Sequence, residues 1–338
     1  MALFGPPDVA KLKAQKDIPG LIKALSYRKD RNVRLSAAKA LEEIGSPEAF
    51  KQEDNFKALL DVLRMKDSQP LEFANARMAA VRAVQMVGDP RAAEPMAKAM
   101  WHVDLADARV QRTVIAAFVA IGSPAVDPLL KILRDEKLSE QQGGAAVEQA
   151  VVKSLAGIGD PRAIEPLARL LLRPGKKKGV GQTTAAAYAA TGLGKIGGPQ
   201  AKGILLSALK NDSSDVREAA VRALVEISDD EVVDALIELL GHTEWDSDPE
   251  AGDLGGTTRS EAARALGKSG NKRAVAPLIQ ALQNDPKAYV RAAAAQALGL
   301  LGDQQALPAL NEALASNQKE LVKAAQAALE QLQQPSAA

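Results

Sequence analysis

Two amphipathic patterns alternate along most of this chain. The first carries apolar residues at helical spacing after a polar residue and a proline, as in GDPRAIEPLARLL at 159–171. The second is rich in alanine, as in VREAAVRALVEIS at 216–228, where apolar residues recur three and four positions apart. Both spacings predict helices that bury one face. With a turn between them, each pair forms an αα-hairpin.

The pair of patterns repeats along the sequence. Close copies of the first pattern are GDPRAAEPMAKAM at 88–100, GSPAVDPLLKIL at 122–133 and GNKRAVAPLIQAL at 270–282. The residues at the junctions between pairs are Gly45, Gly88, Gly122, Gly159, Gly197, Ser228, Gly270 and Gly302, and a weaker last unit ends near Gln333. The shortest units have 31–32 residues. Repeats of this length stack side by side and bury a continuous core.

We therefore predict an all-α protein of about nine two-helix repeats. The segment 18–333 is expected to form a single solenoid, with an N-terminal capping segment at 1–17 and a polar C-terminal tail at 334–338. Asp160 and Pro161 suit the N-cap and the first position of a helix. The junction glycines suit a left-handed C-cap. A second proline follows inside the first helix and predicts a bend there, at Pro95, Pro128, Pro166 and Pro277.

The run D-P-R-A-x-x-P-L followed by V-R-x-A-A-x-x-A-L-x-x-I-G resembles the HEAT-like repeats of the phycobilin (PBS) lyase type. The resemblance covers residues 18–333 and implies an α-α superhelix, a HEAT-like solenoid of the armadillo type. Members of this family include scaffolds, adaptors, bilin-lyase subunits and an iron-dependent hydroxylase. The fold by itself therefore does not choose a function.

Composition narrows the class of protein. Apolar residues make up 46% of the 338 residues, which is enough for a large core, whereas aromatic residues make up only 3%. The net charge is +1, so no global field attracts nucleic acid or membranes. There is no cysteine, and no apolar run fits a signal peptide or a membrane span. We expect a cytoplasmic protein without a cofactor.

Two glycine motifs look like nucleotide sites. GLGKIG at 192–197 matches G-x-G-x-x-G, but it ends a predicted helix instead of following a strand, so we interpret it as part of the repeat. GVGQTT at 179–184 has Gln182 where a P-loop has lysine. A weaker hypothesis is an anion site at a helix N-terminus, formed by Lys176, Lys177, Lys178 and Thr183. The alternative is a solvated loop.

The sequence offers no metal site and no catalytic set. The resemblance implies His-Glu pairs in the hydroxylase members, but Val103 and Thr243 follow the two histidines here. The acidic loop at 241–256 has Ala251 where a calcium loop of the EF-hand kind needs glycine, so we interpret it as solvated.

Function is expected where the copies differ. An arginine stands eleven residues before five junctions, and the resemblance implies that it joins a structural ladder between units: Arg34, Arg77, Arg217, Arg259 and Arg291. Gln111, Glu148 and Ala186 replace it in three consecutive units. The interval before this position grows from 9 residues in units one and eight to 14, 15, 15 and 19 in units two, four, five and seven. Such insertions emerge on one edge of a solenoid.

Both tryptophans and both histidines lie in these connectors. Trp101, His102 and Trp245 are candidate partner-binding residues, because exposed tryptophan is frequent at interfaces; the alternative is that each indole packs over a helix end. Five basic residues stand six positions before a junction and form a candidate basic stripe on the concave side: Lys39, Arg82, Lys153, Arg222 and Arg264. Lysine and arginine are also ordinary surface helix residues. The segment 11–39 is basic and 224–253 is acidic, a polarity that favours oriented partners or self-association.

The leading functional hypothesis is a non-enzymatic scaffold or adaptor. It is expected to bind a protein or peptide along the concave face and the inter-helix loop edge, with no membrane, nucleic-acid or small-molecule ligand. The resemblance supplies one alternative, a bilin-lyase-like subunit or chromophore carrier, with a cleft in the central units around Tyr188. A third hypothesis is binding of an anionic polymer through the basic stripe.

Overall fold

The computed structural model describes residues 6–65, 73–135, 138, 141–172, 180–211, 213–227, 229–242 and 254–333. Within these ranges the chain forms twenty α-helices and no strand, which confirms the predicted all-α class for this part of the protein. The predicted anion site, the acidic loop and Trp245 fall wholly or partly outside the described residues.

The helices follow the predicted pairs. We call the first helix of a pair A and the second B. A short helix, α1 (Val9–Ala14), precedes them in the segment predicted to cap the N-terminus. The pairs are α2 (Ile18–Leu25) with α3 (Arg31–Ile44), α4 (Pro47–Lys51) and α5 (Glu53–Leu63) with α6 (Ala74–Val87), α7 (Ala93–Ala99) with α8 (Ala108–Ile121), α9 (Val126–Leu133) with α10 (Gly144–Ile158), α11 (Ile164–Leu171) with α12 (Val180–Ile196), α13 (Gly198–Ala208) with α14 (Ser214–Leu224), α15 (Asp230–Leu240) with α16 (Leu254–Ser269), α17 (Val275–Asn284) with α18 (Ala288–Leu301), and α19 (Leu307–Ala313) with α20 (Lys319–Gln333).

The chain forms two compact units, Met1–Pro166 and Leu167–Ala338. In the first unit, B helix α6 packs against α3 and α8, and α8 packs against α10. In the second unit, α16 packs against α14 and α18, and α18 packs against α20. The core lies between the A and B helices and consists mainly of leucine, valine and alanine. The single solenoid over 18–333 stays a prediction.

The A helices begin as the sequence predicts but with one difference. The Asp160 side chain accepts a hydrogen bond from the Arg162 backbone N–H and caps a 3₁₀ turn at Pro161–Ala163. The α-helix starts only after this turn. The second prolines (Pro95, Pro128, Pro166 and Pro277) are therefore the third residues of their α-helices. The expected bend inside the helix is wrong, because a proline in the first turn removes no intrahelical hydrogen bond.

The B helices end at the junction glycines. Six of these have φ between 65° and 75°: Gly88, Gly122, Gly159, Gly197, Gly270 and Gly302. Gly88, Gly159 and Gly302 adopt the predicted left-handed C-cap, whereas Gly122 and Gly197 have ψ of −149° and −160° and do not. Gly45 is different, with φ of −70°. A Cβ atom there would lie 2.3 Å from Cζ of Phe50. Glycine at this junction therefore makes room for an aromatic ring. Ser228 lies outside the described residues.

A second set of glycines lets neighbouring B helices approach closely. A Cβ atom on Gly267 would lie 2.7 Å from the Ala297 Cα, across the contact of α16 with α18. A Cβ atom on Gly299 would lie 2.8 Å from the Ala328 Cα, across the contact of α18 with α20. Both distances are shorter than carbon atoms tolerate. Small residues on both sides are thus required for this packing.

The five arginines of the predicted ladder share one contact. Each guanidinium donates to a backbone carbonyl of the connector before its own helix, as in Arg34 to Tyr27 O at 2.8 Å and Arg217 to Asn211 O at 2.8 Å. The other acceptors are Met65 O for Arg77, His242 O for Arg259 and Asp285 O for Arg291. All but the half-buried Arg291 are buried. These contacts satisfy carbonyls that the connector backbone itself leaves unpaired.

Four of these arginines also contact the next pair. The Arg34 guanidinium lies 4.7 Å from the centre of the Phe73 ring, and Arg77 donates to His102 O at 3.4 Å. Arg259 forms two hydrogen bonds with the Asp285 carboxylate, at 2.7 and 3.1 Å. The fourth contact is from Arg291 to Gln318 Oε1 at 2.6 Å. One side chain therefore fixes its own connector and the connector of the neighbouring repeat.

In the unit that carries Gln111 in place of the arginine, hydrogen bonds between side chains replace the arginine contacts. Gln111 Nε2 donates to Gln149 Oε1 at 2.7 Å, and Lys153 Nζ donates to Gln111 Oε1 at 2.9 Å. The replacements in the next two units, Glu148 and Ala186, are both buried. These positions therefore stay inside the stack although their chemistry changes.

We expect Gly267→Ala to lower stability by about 1 kcal/mol, because overpacking against Ala297 outweighs the gain in helix propensity. The matched control is Gly203→Ala in α13, where a Cβ atom would meet nothing within 4 Å. The control should raise stability by roughly 0.5–1 kcal/mol. Urea unfolding followed by circular dichroism measures both. An equal gain for the two variants would show that the close contact does not limit side-chain size.

We expect Asp285→Asn to cost about 3 kcal/mol, because it leaves the buried Arg259 charge without its carboxylate. The side chains of this pair are 0% and 2% exposed. The matched control is Asp234→Asn, which breaks the pair with Arg273, whose side chains are 52% and 54% exposed. That loss should stay below about 1 kcal/mol. Urea titration of both variants tests the difference, and similar losses would contradict it.

Candidate interaction surface

Each B helix exposes one face, and the predicted basic residues stand six positions before the junction that follows each of these helices. Of the residues predicted as a basic stripe, Lys39, Arg82, Arg222 and Arg264 are exposed and Lys153 is half-buried. They lie on α3, α6, α14, α16 and α10 in turn. The structure therefore places all five on B helices, with four of the side chains exposed to solvent and one half-buried.

Three members of the stripe form ion pairs with glutamates of B helices. Arg82 pairs with Glu42 of α3. Arg222 lies 3.6 Å from Glu218, and Arg264 lies 3.1 Å from Glu261. Exposed pairs of this kind contribute little to stability, but they lower the net charge that a distant ligand meets. The stripe is thus a row of mixed charges in the second unit.

Apolar side chains are exposed at the same end of the B helices. Met86 is 47% exposed, Val119 40% and Leu300 57%. Each lies two or three residues before a junction glycine, on α6, α8 and α18. Met86 and Leu300 occupy the same position of the repeat, Val119 stands one residue earlier, and α3, α12 and α16 carry Glu43, Lys195 and Lys268 at the position of Met86. Exposed apolar side chains of this size favour a surface that another molecule covers.

Shallow grooves separate neighbouring B helices. In the first unit, a groove of about 250 Å³ lies between α3, α4 and α6, with Leu41, Phe50 and Met86 among its walls and the Arg82–Glu42 pair at its side. In the second unit, a groove of about 200 Å³ lies at the equivalent place between α14 and α16. The first is lined mainly by apolar side chains, and the second by the charged residues Arg222, Glu261 and Lys268 among others. Grooves of this size accept one side chain and not a whole small molecule.

Trp101 and His102 lie in a 3₁₀ turn that follows α7. The Trp101 side chain is 38% exposed, and the His102 carbonyl accepts the hydrogen bond from Arg77. The second histidine, His242, lies at the start of the connector after α15, and its carbonyl accepts from Arg259. Both histidines are therefore in connectors held by ladder arginines, and Trp101 is presented beside one of them.

The other candidate sites lie partly outside the described residues. Lys176, Lys177 and Lys178 are outside them, and Thr183 belongs to α12 with its side chain undescribed. The acidic residues at 244–253 are also outside. Among the residues that the structure describes, no group of three or more histidine, aspartate or glutamate side chains is arranged to hold a metal ion.

In the described ranges, no single helix has both the length and the apolar composition needed to cross a bilayer. The pair formed by Ala108–Ile121 and Ser123–Leu133 passes that test only when joined across a bend of 113°.

The glycine motif at 192–197 belongs to the repeat. Gly197 has φ of 68° and ends α12. A Cβ atom on Gly194 would lie 2.8 Å from the Ala223 carbonyl oxygen of α14. The two glycines thus serve a helix end and a close helix contact.

The sequence reasoning missed the role of the arginine in the D-P-R motif. Arg162 pairs with Asp160 of its own turn and with Asp127 of the preceding A helix, at 2.9 and 3.0 Å. Arg91 repeats this with Asp89 and Glu53, at 2.8 and 2.9 Å. The hydrogen bond from Arg162 holds the pKa of the Asp160 carboxyl well below its usual range. The signal in the sequence is the fixed place of this arginine, two residues after the capping aspartate.

Solved structures with a similar fold include Kap121p. It matches with a TM-score of 0.53 and 10% identity over 98% of this chain, which spans 42% of Kap121p. An engineered protein matches with a TM-score of 0.42 and 23% identity, over 98% of this chain and 92% of its own. Human deoxyhypusine hydroxylase in complex with glycerol matches with a TM-score of 0.33 and 17% identity, over 97% and 99%. The first likeness shows the fold alone, and the other two are too distant to carry an argument.

Comparison with curated protein sequences finds no match. Comparison with protein families finds HEAT repeats over residues 18–109, 182–250 and 255–330. It also finds a PBS lyase HEAT-like repeat at residues 147–173. These matches and the likeness to Kap121p confirm the predicted class, an α-α superhelix built from HEAT-like repeats. The chain belongs to the family of HEAT-repeat proteins.

Proposed function

We propose that this protein is a non-catalytic scaffold that binds a protein or peptide along the outward faces of its B helices and at the connector edge. The observation that carries the proposal is the exposure of apolar side chains near the C-terminal ends of three B helices, at Met86, Val119 and Leu300. Within the first unit, Met86 and Val119 lie on the neighbouring B helices α6 and α8, and surfaces built from successive repeats suit an extended partner.

The connector edge adds an aromatic contact. Trp101 is 38% exposed on a turn whose backbone is held through Arg77. A tryptophan on a fixed turn loses little conformational freedom when a partner covers it, which favours a role as an anchor. We propose that Trp101 contributes to the same interface from the edge of the stack.

The other two hypotheses gain less support. The PBS lyase HEAT-like repeat covers 147–173, which is a single repeat and describes the fold rather than a chromophore site. Binding of an anionic polymer along the whole basic stripe is disfavoured by the glutamates that pair with Arg82, Arg222 and Arg264. A protein or peptide partner is therefore the function that the surface supports best.

We expect Leu300→Glu to reduce recovery of the partner at least tenfold, because it places a charge in the centre of an apolar contact. The matched control is Leu314→Glu at the end of A helix α19, where leucine is 39% exposed. Proximity labelling in the native cell, followed by affinity capture with the wild type and both variants, measures the recovery.

Met86→Glu and Trp101→Ala extend the same test to the first unit and to the connector edge. Circular dichroism should show unchanged helix content for all variants, because each residue is exposed. Equal recovery from the wild type and from every B-helix variant, or a loss confined to Leu314→Glu, would exclude the B-helix faces as the binding surface.

A further inference from the structure

The B helices of the second, third and fourth pairs are consecutive and poor in carboxylates, a property that α12 and α18 share. The sequences of α6 and α8 contain no aspartate or glutamate, and the single glutamate of α10, Glu148, is buried. By contrast, α14 and α16 carry Glu218 and Glu261 within reach of their arginines. The first unit therefore has three neighbouring B helices without an exposed carboxylate among the residues that the structure describes.

Basic side chains remain on these three helices. Arg82 and Arg112 are exposed on α6 and α8, and Lys153 is half-buried on α10. Arg82 has its carboxylate partner on α3, and Lys153 donates to Gln111. Arg112 is in none of the ion pairs formed by the described residues. The charge of this face is thus positive, in contrast to the mixed charges of α14 and α16.

Apolar groups lie between the basic side chains. Met86 and Val119 are exposed on adjacent helices, and Ile115 is half-buried beside them. Gly157 of α10 lies against Val119, since a Cβ atom there would be 2.6 Å from Val119 Cγ2. Glycine at this position brings the helices together and adds no side chain to cover the valine. The groove between α3, α4 and α6 continues the apolar area beyond Met86.

We infer that Arg82, Met86, Arg112, Val119 and Lys153 form a docking surface for an acidic segment of a partner protein that carries large apolar side chains. We call these five residues the α6–α10 surface. The inference rests on the proposed scaffold function and adds the chemistry of the partner. Carboxylates of the segment pair above all with Arg112, and one apolar side chain enters the groove beside Met86.

The dimensions favour a segment of moderate length. Neighbouring helices pack about 8–10 Å apart, so the path from α3 across α6 and α8 to α10 is roughly 25–30 Å. A helix covers that distance with about 18 residues. Two turns of such a helix advance about 10 Å, which matches the step from one B helix to the next. Apolar residues seven positions apart therefore meet equivalent places on successive B helices.

The test uses a fluorescein-labelled 18-residue peptide with leucine at positions 3, 7, 10 and 14 and mostly glutamate elsewhere. Fluorescence anisotropy with the full-length protein should show saturable binding that weakens as salt is added. A peptide with lysine in place of every glutamate, and one with serine in place of every leucine, should each bind at least tenfold more weakly. These two comparisons separate the contribution of charge from that of apolar contact.

The decisive variant is Arg112→Glu, which should weaken binding at least tenfold. Its matched control is Lys57→Glu on A helix α5, an exposed position with the same change of charge, and binding there should stay within twofold. Val119→Ser should weaken binding without changing charge. Unchanged binding by Arg112→Glu and Val119→Ser, or equal losses in Arg112→Glu and Lys57→Glu, would overturn the inference.

Three further outcomes are distinct. If single-stranded DNA of 18 nucleotides binds more tightly than the acidic peptide and is lost in Arg112→Glu, the surface binds a nucleic acid and the inference is wrong. If a cellular partner is captured in a manner sensitive to Leu300→Glu but not to Arg112→Glu, the scaffold function stands and the α6–α10 surface is not its binding site. If the peptide binds as expected and no partner depends on Leu300, the α6–α10 surface is a binding site and the extension of the interface to α18 is wrong.

Discussion

Close packing between neighbouring B helices is the constraint on which the rest of the structure depends. At the contacts of α16 with α18 and of α18 with α20, the glycines Gly267 and Gly299 face the alanines Ala297 and Ala328 with no room for another carbon. The high alanine content and the scarcity of aromatic residues follow from this, because large side chains cannot lie between the backbones. Because B helices such as α6 and α18 pack closely against a B helix on either side, most of their surface is covered. What remains outward on each B helix is one narrow face.

Connectors create a second requirement. Turns between helices A and B lie at the edge of the core, where their carbonyl groups lose water without gaining a helical partner. The ladder arginines satisfy this need from inside, and Arg259 does so together with a buried carboxylate of the next pair. A guanidinium suits the position because its planar fork reaches two acceptors in different directions. Variation in connector length is therefore compatible with a constant core, as long as one carbonyl stays within reach of the arginine.

Much of this architecture could be predicted from the sequence, because the signals are local. The alternation of helices, the capping aspartates and the left-handed glycines each depend on a few adjacent residues, and Asp160 and Gly159 lie as expected. Two local predictions were wrong for physical reasons. A 3₁₀ turn precedes the α-helix, so Pro166 falls in the first turn of that helix. Gly45 has a negative φ, and glycine is needed there because a side chain would collide with the ring of Phe50.

The candidate surface was harder to predict because its electrostatics depend on neighbouring repeats. The basic residues could be found by position, but their partners come from elsewhere in the stack, as Glu42 of α3 does for Arg82 of α6. A count of basic residues along the chain therefore overestimates the positive charge of the stripe in the second unit, where glutamates pair with Arg222 and Arg264. It also does not show that the B helices α6, α8 and α10 of the first unit carry no exposed carboxylate. The sequences of α6 and α8 contain no aspartate or glutamate, although the Asp107 carboxylate at the N-cap of α8 interacts with Arg112. The repeats share one backbone arrangement, so equivalent side chains of consecutive helices lie next to one another. When consecutive helices carry basic residues and no carboxylate on the exposed face, the electrostatic potential is positive over a continuous area, and this area attracts a partner of opposite charge most strongly.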